Sequence, residues 1–296
     1  MTQYRYILCD VFTSDRFAGN QLAVFPDAAG LNDAQMQAIA RELNLSETTF
    51  VTPAAPPRTA SVRIFTPGRE LPFAGHPTIG TAFALTMLGR LPEGATQMLL
   101  AEAVGDVPVR IETRSDPFMA WLVTPPIEFG EEVDSSRCSW ALGLSAGDLI
   151  QSAPPQIASA GAPFLFAALR DASTVDRATL NAAAVRDLNA DATFNGIFFF
   201  APTPKGAYAR MFAPALGIAE DPATGSAAGP LAAYMVRHRL LDARDGVRLV
   251  VEQGTKMLRR SLLHVSLGCD ASGALETVEV GGNAVFVAEG FMEADA

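Results

Sequence analysis

Histidine and cysteine are scarce in this chain, three of each among 296 residues. Cys9, Cys138 and Cys269 are odd in number, far apart and without C-x-x-C spacing, and only Cys269 has a histidine near it in sequence, His264. That pattern excludes a disulfide framework and offers no ligand set, so the thiols read as reduced core residues and no metal is expected. Basic charge is short as well: 22 Lys and Arg stand against 32 Asp and Glu, a net charge of -10, with no basic run. Such a surface cannot neutralise a phosphate backbone, which excludes nucleic acid as a partner. No apolar stretch approaches the ~20 residues that span a bilayer, so no membrane partner is expected. Met1-Thr2-Gln3-Tyr4-Arg5-Tyr6 lacks a basic leader followed by an apolar core, and the expected location is the cytoplasm. What the chain does have is apolar matter, 49% of its residues, enough to furnish one large or two ordinary domains with buried cores.

It also has a repeat, and repeats constrain architecture before local motifs do. Arg63-Ile64-Phe65-Thr66-Pro67 returns half a chain later as Arg210-Met211-Phe212-Ala213-Pro214. After a short loop, Phe73-Ala74-Gly75-His76-Pro77-Thr78-Ile79-Gly80 is echoed by Asp221-Pro222-Ala223-Thr224-Gly225-Ser226-Ala227-Ala228-Gly229, and each is followed by an uncharged apolar run. Each copy reads as strand, glycine turn and helix: Ala60 to Phe65 and Ala207 to Phe212 carry β-formers and stop at a proline. A run without charge around the whole helical circumference marks a helix buried on all sides. Pro77 suits a first helical position, whereas Pro230 should kink the second helix or delay its start.

Elsewhere the chain reads mostly as strands: Arg5 to Phe12, Thr48 to Thr52, Thr96 to Glu102, Val107 to Thr113, Phe118 to Val123, Gly196 to Ala201, Val247 to Glu252, Leu263 to Leu267 and Ala284 to Ala288. One amphipathic helix intervenes, capped by Asn32 with Gln35 three residues on, its buried stripe being Met36, Ile39, Ala40 and Leu43. The expected fold class is α+β, a sheet-rich shell around one central helix, made twice. The expected halves are residues 1–128, with 279–296 returning to them, and residues 129–278, and the charged stretch Glu131 to Arg137 reads as the linker.

A duplicated unit tends to place its site where the copies face each other, and a glycine turn at a helix N-terminus presents backbone N–H groups that bind a carboxylate. His76, Asp221 and Ser226 stand beside these turns. Each also has a plain structural reading, as a hydrogen-bonded core residue, an N-cap and a first-turn residue respectively. Glu47, in Leu45-Ser46-Glu47-Thr48-Thr49, is either a solvated turn residue or a carboxyl in an apolar neighbourhood suited to general acid–base work. The segment Gly75 to Thr81 is not a phosphate loop, since Thr81 stands where lysine is required, and Gly225-Ser226-Ala227-Ala228-Gly229 is not a nucleophile elbow.

Four segments, Gly19-Asn20-Gln21-Leu22-Ala23-Val24-Phe25, Leu45-Ser46-Glu47-Thr48, Phe73-Ala74-Gly75-His76-Pro77-Thr78 and Glu220-Asp221-Pro222-Ala223-Thr224-Gly225-Ser226, resemble the signatures of PhzF-like (phenazine biosynthesis) proteins, in family order over nearly the whole chain. The resemblance implies a diaminopimelate-epimerase-like fold of two pseudo-symmetric domains, each a curved, mostly antiparallel sheet around a central helix, and commonly a homodimer. It implies a cofactor-free isomerase that moves a hydrogen on a small acidic substrate. Its candidate catalytic residues are Glu47, His76 and Asp221, and its candidate substrate-binding residues are Ser46, Gly75, Thr224, Gly225 and Ser226. The paired cysteines of the related epimerases and proline racemases correspond to Ala74 and Pro222, which disfavours two-thiol racemisation. The segment Gln253 to Ser261 departs from the family pattern at Leu258 and Arg260. The competing readings are a racemase or epimerase, and a binding protein that retains the fold without the chemistry.

Overall fold

The computed structural model describes residues 1–91, 94–112, 116–191 and 193–294. The fold is mixed α+β and divides into two compact units, Met1–Val123 with Gly281–Ala296, and Thr124–Val280.

The first unit runs β1 (Thr2–Val11), β2 (Asn20–Phe25), α1 (Asp33–Leu43), β3 (Glu47–Thr52), β4 (Ala60–Phe65), β5 (Glu70–Leu71), α2 (Gly75–Met87), β6 (Gln97–Glu102), β7 (Gly105–Ile111) and β8 (Met119–Val123). Strand β1 pairs antiparallel with β2, β2 parallel with β3, β3 antiparallel with β4, β4 parallel with β6, and β6 antiparallel with β7. Helix α2 packs on β1, β2, β3, β7 and β8, strands from both ends of that order, so the sheet curls around it. The helix is buried from Gly75 to Leu85 except at Phe83, and Gly80 shows how close the approach is. A Cβ there would lie 2.5 Å from Leu22 Cδ2 and 2.8 Å from Val11 Cγ2, in a place where both side chains are fully buried. Helix α1 lies outside, with the expected Asn32–Gln35 capping box, Met36, Ile39 and Ala40 buried, and Leu43 partly buried against the same cluster.

The second unit contains β9 (Glu128–Glu132), α3 (Ser135–Ala141), β10 (Gln156–Ser159), β11 (Pro163–Ala168), α4 (Ala172–Arg177), α5 (Ala182–Asp191), β12 (Ile197–Thr203), β13 (Gly206–Phe212), α6 (Gly225–Arg237), β14 (Arg248–Gln253), β15 (Ser261–Cys269) and the start of β16 (Leu275–Ala294). Its pairings repeat the same order: β10 antiparallel with β11, β11 parallel with β12, β12 antiparallel with β13, β13 parallel with β14, β14 antiparallel with β15. Helix α6, buried for most of its length, packs on β10, β11 and β15. The later part of β16 belongs to the first unit and pairs with β1 from Val11↔Ala284 to Thr2↔Ala294.

The repeat reaches the side chains. Arg63 of β4 grips Glu70 through Nε and Nη2, both at 2.7 Å, and lies over the Phe65 ring; Arg210 of β13 grips Glu220 in the same two-pronged way, both at 2.8 Å, and lies over Phe212. Each pair ties the repeated strand to the segment leading into its buried helix, with the geometry in which guanidinium–carboxylate contacts are strongest.

Three expectations need correction. Glu131 to Arg137 is no linker: Glu128–Glu132 is an exposed strand on β10, and the Asp134 carboxylate caps α3 by accepting from the Arg137 amide at 2.9 Å. A charged edge strand and an acidic cap look like a solvated loop in sequence. Helix α2 begins at Gly75, so Pro77 is its third residue, where its missing N–H is still unneeded. Helix α6 starts at Gly225, and Pro230 sits inside it without delaying that start. The short helices α3, α4 and α5 were not anticipated. We expect Gly80→Val to lower stability by about 1–3 kcal/mol through overpacking against Leu22 and Val11, read from a urea unfolding curve.

Candidate active site

Glu47 opens β3, where parallel pairing sets it beside Leu22, and its side chain is only 13% exposed. His76, the second residue of α2, is almost wholly buried. Its Nε2 stands 3.3 Å from Glu47 Oε2 without an aligned hydrogen bond, and Asn20 Nδ2 is 3.4 Å from its Nδ1. Burial lowers the His76 pKa to about 3, against a backbone hydrogen bond to Gln21 that favours the cation. The imidazole is therefore neutral at physiological pH, and the contact is a carboxyl meeting a neutral ring rather than an ion pair. Ser46 lies half-buried in the bend before β3, and Gly75 is the first residue of α2.

In the second unit, Asp221, Thr224 and Gly225 are buried and Ser226 is half-buried. Asp221 is not the N-cap of α6; that position belongs to Thr224. The Thr224 hydroxyl donates to Asp221 Oδ2 at 2.6 Å and accepts from Gln253 Nε2 at 3.0 Å. Gln253, fully buried at the end of β14, also donates to the Asp221 carbonyl at 2.8 Å and accepts from the Thr224 amide at 3.1 Å. The loop that follows is pinned beneath the same turn: Gly254 has φ +75°, and a Cβ there would come within 2.6 Å of the Pro222 carbonyl oxygen.

Helices α1, α3 and α4 are each capped by a side chain, Asn32, Asp134 and Asp171 respectively. The N-caps of α2 and α6, Ala74 and Thr224, make no side-chain cap bond. No cap side chain therefore occupies the N-terminal donors of the two buried helices, an arrangement in which such a turn can take an anion.

A model of the phenazine biosynthesis-like protein family, PhzC-PhzF, matches residues 9–290. The chain belongs to this family. Among its relatives, the trans-2,3-dihydro-3-hydroxyanthranilate isomerase of Pseudomonas aeruginosa is 36% identical over 97% of this chain and 98% of its own. An uncharacterized isomerase of Clostridium acetobutylicum is 33% identical over 96% of each chain. The crystal structure of a PhzF-family phenazine biosynthesis protein from Bacillus anthracis superposes with a TM-score of 0.89 at 25% identity, covering 99% of this chain and 100% of that one.

Three residues of this PhzF-family chain had escaped the sequence reading. Asn20 lies within a quoted family segment, next to the His76 ring, and Gln253 begins a segment noted only for its departures. Glu102, the last residue of β6, carried no signal. It is buried, its Oε1 is 2.7 Å from the Thr78 hydroxyl, and its Oε2 has no hydrogen-bond partner. Burial raises its carboxyl pKa to about 7, with the Thr78 hydroxyl opposing. Among the described residues no His, Cys, Asp and Glu cluster is built to hold a metal, and no helix is long and apolar enough to cross a membrane.

A stability prediction follows from Glu102. Its folded pKa lies above the unfolded value, so the folded chain keeps a proton that the unfolded chain releases, and stability falls as pH rises from about 4.5 toward about 7. The expected loss is roughly 3 kcal/mol once the window is crossed. Glu102→Gln removes it, so its stability relative to the parent should improve between pH 5 and pH 8, measured by urea titration at both.

Proposed function

We propose that this protein is a cofactor-independent isomerase that moves a proton on a small carboxylate-bearing substrate, cyclic amino-acid-like acids included. The observation that carries the reading is the buried approach of the Glu47 carboxyl to the neutral His76 ring, 3.3 Å apart at the start of an uncapped helix. With the ring neutral at physiological pH, the Glu47 carboxyl carries the proton and the ring orients it. Glu47 takes a proton from one carbon and returns it at another, so nothing is oxidised and no co-substrate is consumed. The first-turn donors at Gly75 suit the substrate's carboxylate.

The trans-2,3-dihydro-3-hydroxyanthranilate isomerase among its relatives supports a carboxylate-bearing ring as the substrate class. In this reading Asp221 keeps a catalytic part, Ser46, Thr224, Gly225 and Ser226 keep their substrate-binding parts, and Gln253 holds Thr224 and Asp221 in register. The two units are the two pseudo-symmetric domains of a diaminopimelate-epimerase-like fold, and the protein works as a homodimer in the cytoplasm.

Two experiments bear on this. A metabolite screen in deuterated water should reveal a small acid that gains solvent deuterium or changes isomer only in the presence of the protein. With that substrate, Glu47→Gln should cut single-turnover rates ~10²–10⁴-fold while affinity stays near the parent value; turnover at the parent rate would move the proton to another group. Thiol chemistry provides the second check. Cys9 and Cys138 are buried, and burial pushes the Cys138 thiol up to about 12 and Cys9 higher still in the same direction. An alkylating reagent under native conditions should therefore reach at most Cys269 and leave turnover intact, read by peptide mass and rate together.

A further inference from the structure

Thr78, on the first turn of α2, holds one hydroxyl hydrogen but has two oxygens in reach: the Ala74 carbonyl at 2.8 Å and Glu102 Oε1 at 2.7 Å. Were Glu102 a carboxylate, both would be acceptors competing for that hydrogen, and Glu102 Oε2 would be a buried charged oxygen with no partner. A neutral Glu102 resolves both conflicts. Its O–H donates to Thr78 Oγ, and the Thr78 hydrogen is free for Ala74, the N-cap residue two positions before His76.

The second unit shows the same place filled by a group that never ionises. In the parallel pair β4–β6, Ala60 sits opposite Leu100 and Ser61 opposite Ala101; in β13–β14, Ala207 sits opposite Val251 and Tyr208 opposite Glu252. Arg63 and Arg210 align these strands, so the next residues, Glu102 and Gln253, hold equivalent positions at the ends of β6 and β14. Gln253 braces α6 at its N-cap, Thr224, and Glu102 braces α2 further in, at Thr78, the fourth residue of that helix.

We propose that Glu102 is a positioning residue of the candidate site: as a neutral acid it fixes Thr78 and the first turn of α2, and its ionisation loosens the turn that sets His76 against Glu47. No charged neighbour opposes this. On α2's first turn the titratable group is His76; β4 carries Arg63, held by Asp33 and Glu70; β7 carries Asp106, held by Arg58, and Arg110 beside Glu112. Among the described residues none is ion-paired with Glu102, whose carboxyl is raised by burial alone. The catalytic meaning rests on Glu47 and His76 being the acid–base pair, but the test below needs no substrate, so it can fail while that reading stands.

The test follows the ring nitrogens of His76 by NMR in protein labelled with ¹⁵N-histidine, the signal being assigned among His76, His238 and His264 by its loss in His76→Asn. Between pH 5.5 and 8.5 the ring itself does not titrate, so the parent should show one step with a midpoint near 7, reporting Glu102. Glu102→Gln, which gives this unit the amide of the other, should hold the low-pH signal throughout. Glu47→Gln should keep the step, which separates Glu102 from the nearer carboxyl. Thr78→Ser should keep it and Thr78→Val should lose most of it, because the effect runs through the hydroxyl. A step that persists in Glu102→Gln, that vanishes in Glu47→Gln, or that is as large in Thr78→Val as in the parent overturns the proposal. So does a parent that shows no step.

Discussion

An uncharged helix enclosed by its own sheet is the constraint from which the rest of the first unit follows. Helix α2 is buried from Gly75 to Leu85 except at Phe83 and reaches solvent at its C-terminal end, Met87, and the sheet closes tightly on it where a residue lacks a side chain, as at Gly80 against Leu22 and Val11. No side chain caps its N-terminal turn, in contrast to α1, α3 and α4. Its position is held from outside instead. The Arg63–Glu70 grip fastens β4 to the segment entering the helix, and Glu102 meets Thr78 from the end of β6. No cap side chain occupies the donors of that turn, which in the proposed function take the substrate's carboxylate.

The same burial decides the charge states. Desolvation penalises whichever form is charged, so it lowers an imidazole and raises a carboxyl. His76 becomes a ring that is neutral at physiological pH and Glu102 a carboxyl that holds its proton up to about neutral pH. An imidazole on the first turn of the helix and a carboxyl bonded to that turn through Thr78 are both kept uncharged, with Glu47 the carboxyl opposite the ring. Proton transfer on a carbon acid calls for this kind of neighbourhood, dry and with few competing charges.

The parts of this arrangement legible in the sequence were those written in adjacent residues. The echo of Arg63 to Pro67 in Arg210 to Pro214 was readable because a strand of β-formers ended at proline in both copies, and the buried helices because their runs lack charge. The Asn32 box was readable because both of its partners lie within one turn. Glu47 could be read two ways, since its burial depends on a helix that starts 28 residues later, a fact no local pattern carries. Glu102 and Gln253 were invisible for the same reason, their partners being 24 and 29 residues away in sequence. The acidic stretch after Glu128 misled because an exposed edge strand and a cap are made of the residues that also make linkers.

The two units keep the scaffold and differ at the working positions. Both retain the arginine grip, the order of pairings and a buried brace at the end of the same strand. The brace is a carboxyl in one and an amide in the other, and the group it steadies is an imidazole next to Glu47 in one and the Asp221 carboxylate in the other. An amide holds its hydrogen-bonding pattern at every pH, and so suits a turn that must keep an anionic acceptor oriented by a hydroxyl. A carboxyl can donate at all only while protonated, which makes the first unit's brace conditional where the second's is fixed. The duplication thus left a polar brace at the same strand end in both units, an amide that meets the N-cap Thr224 in the second and a carboxyl that meets Thr78, the fourth residue of α2, in the first, and the carboxyl makes the turn bearing His76 the one that responds to pH.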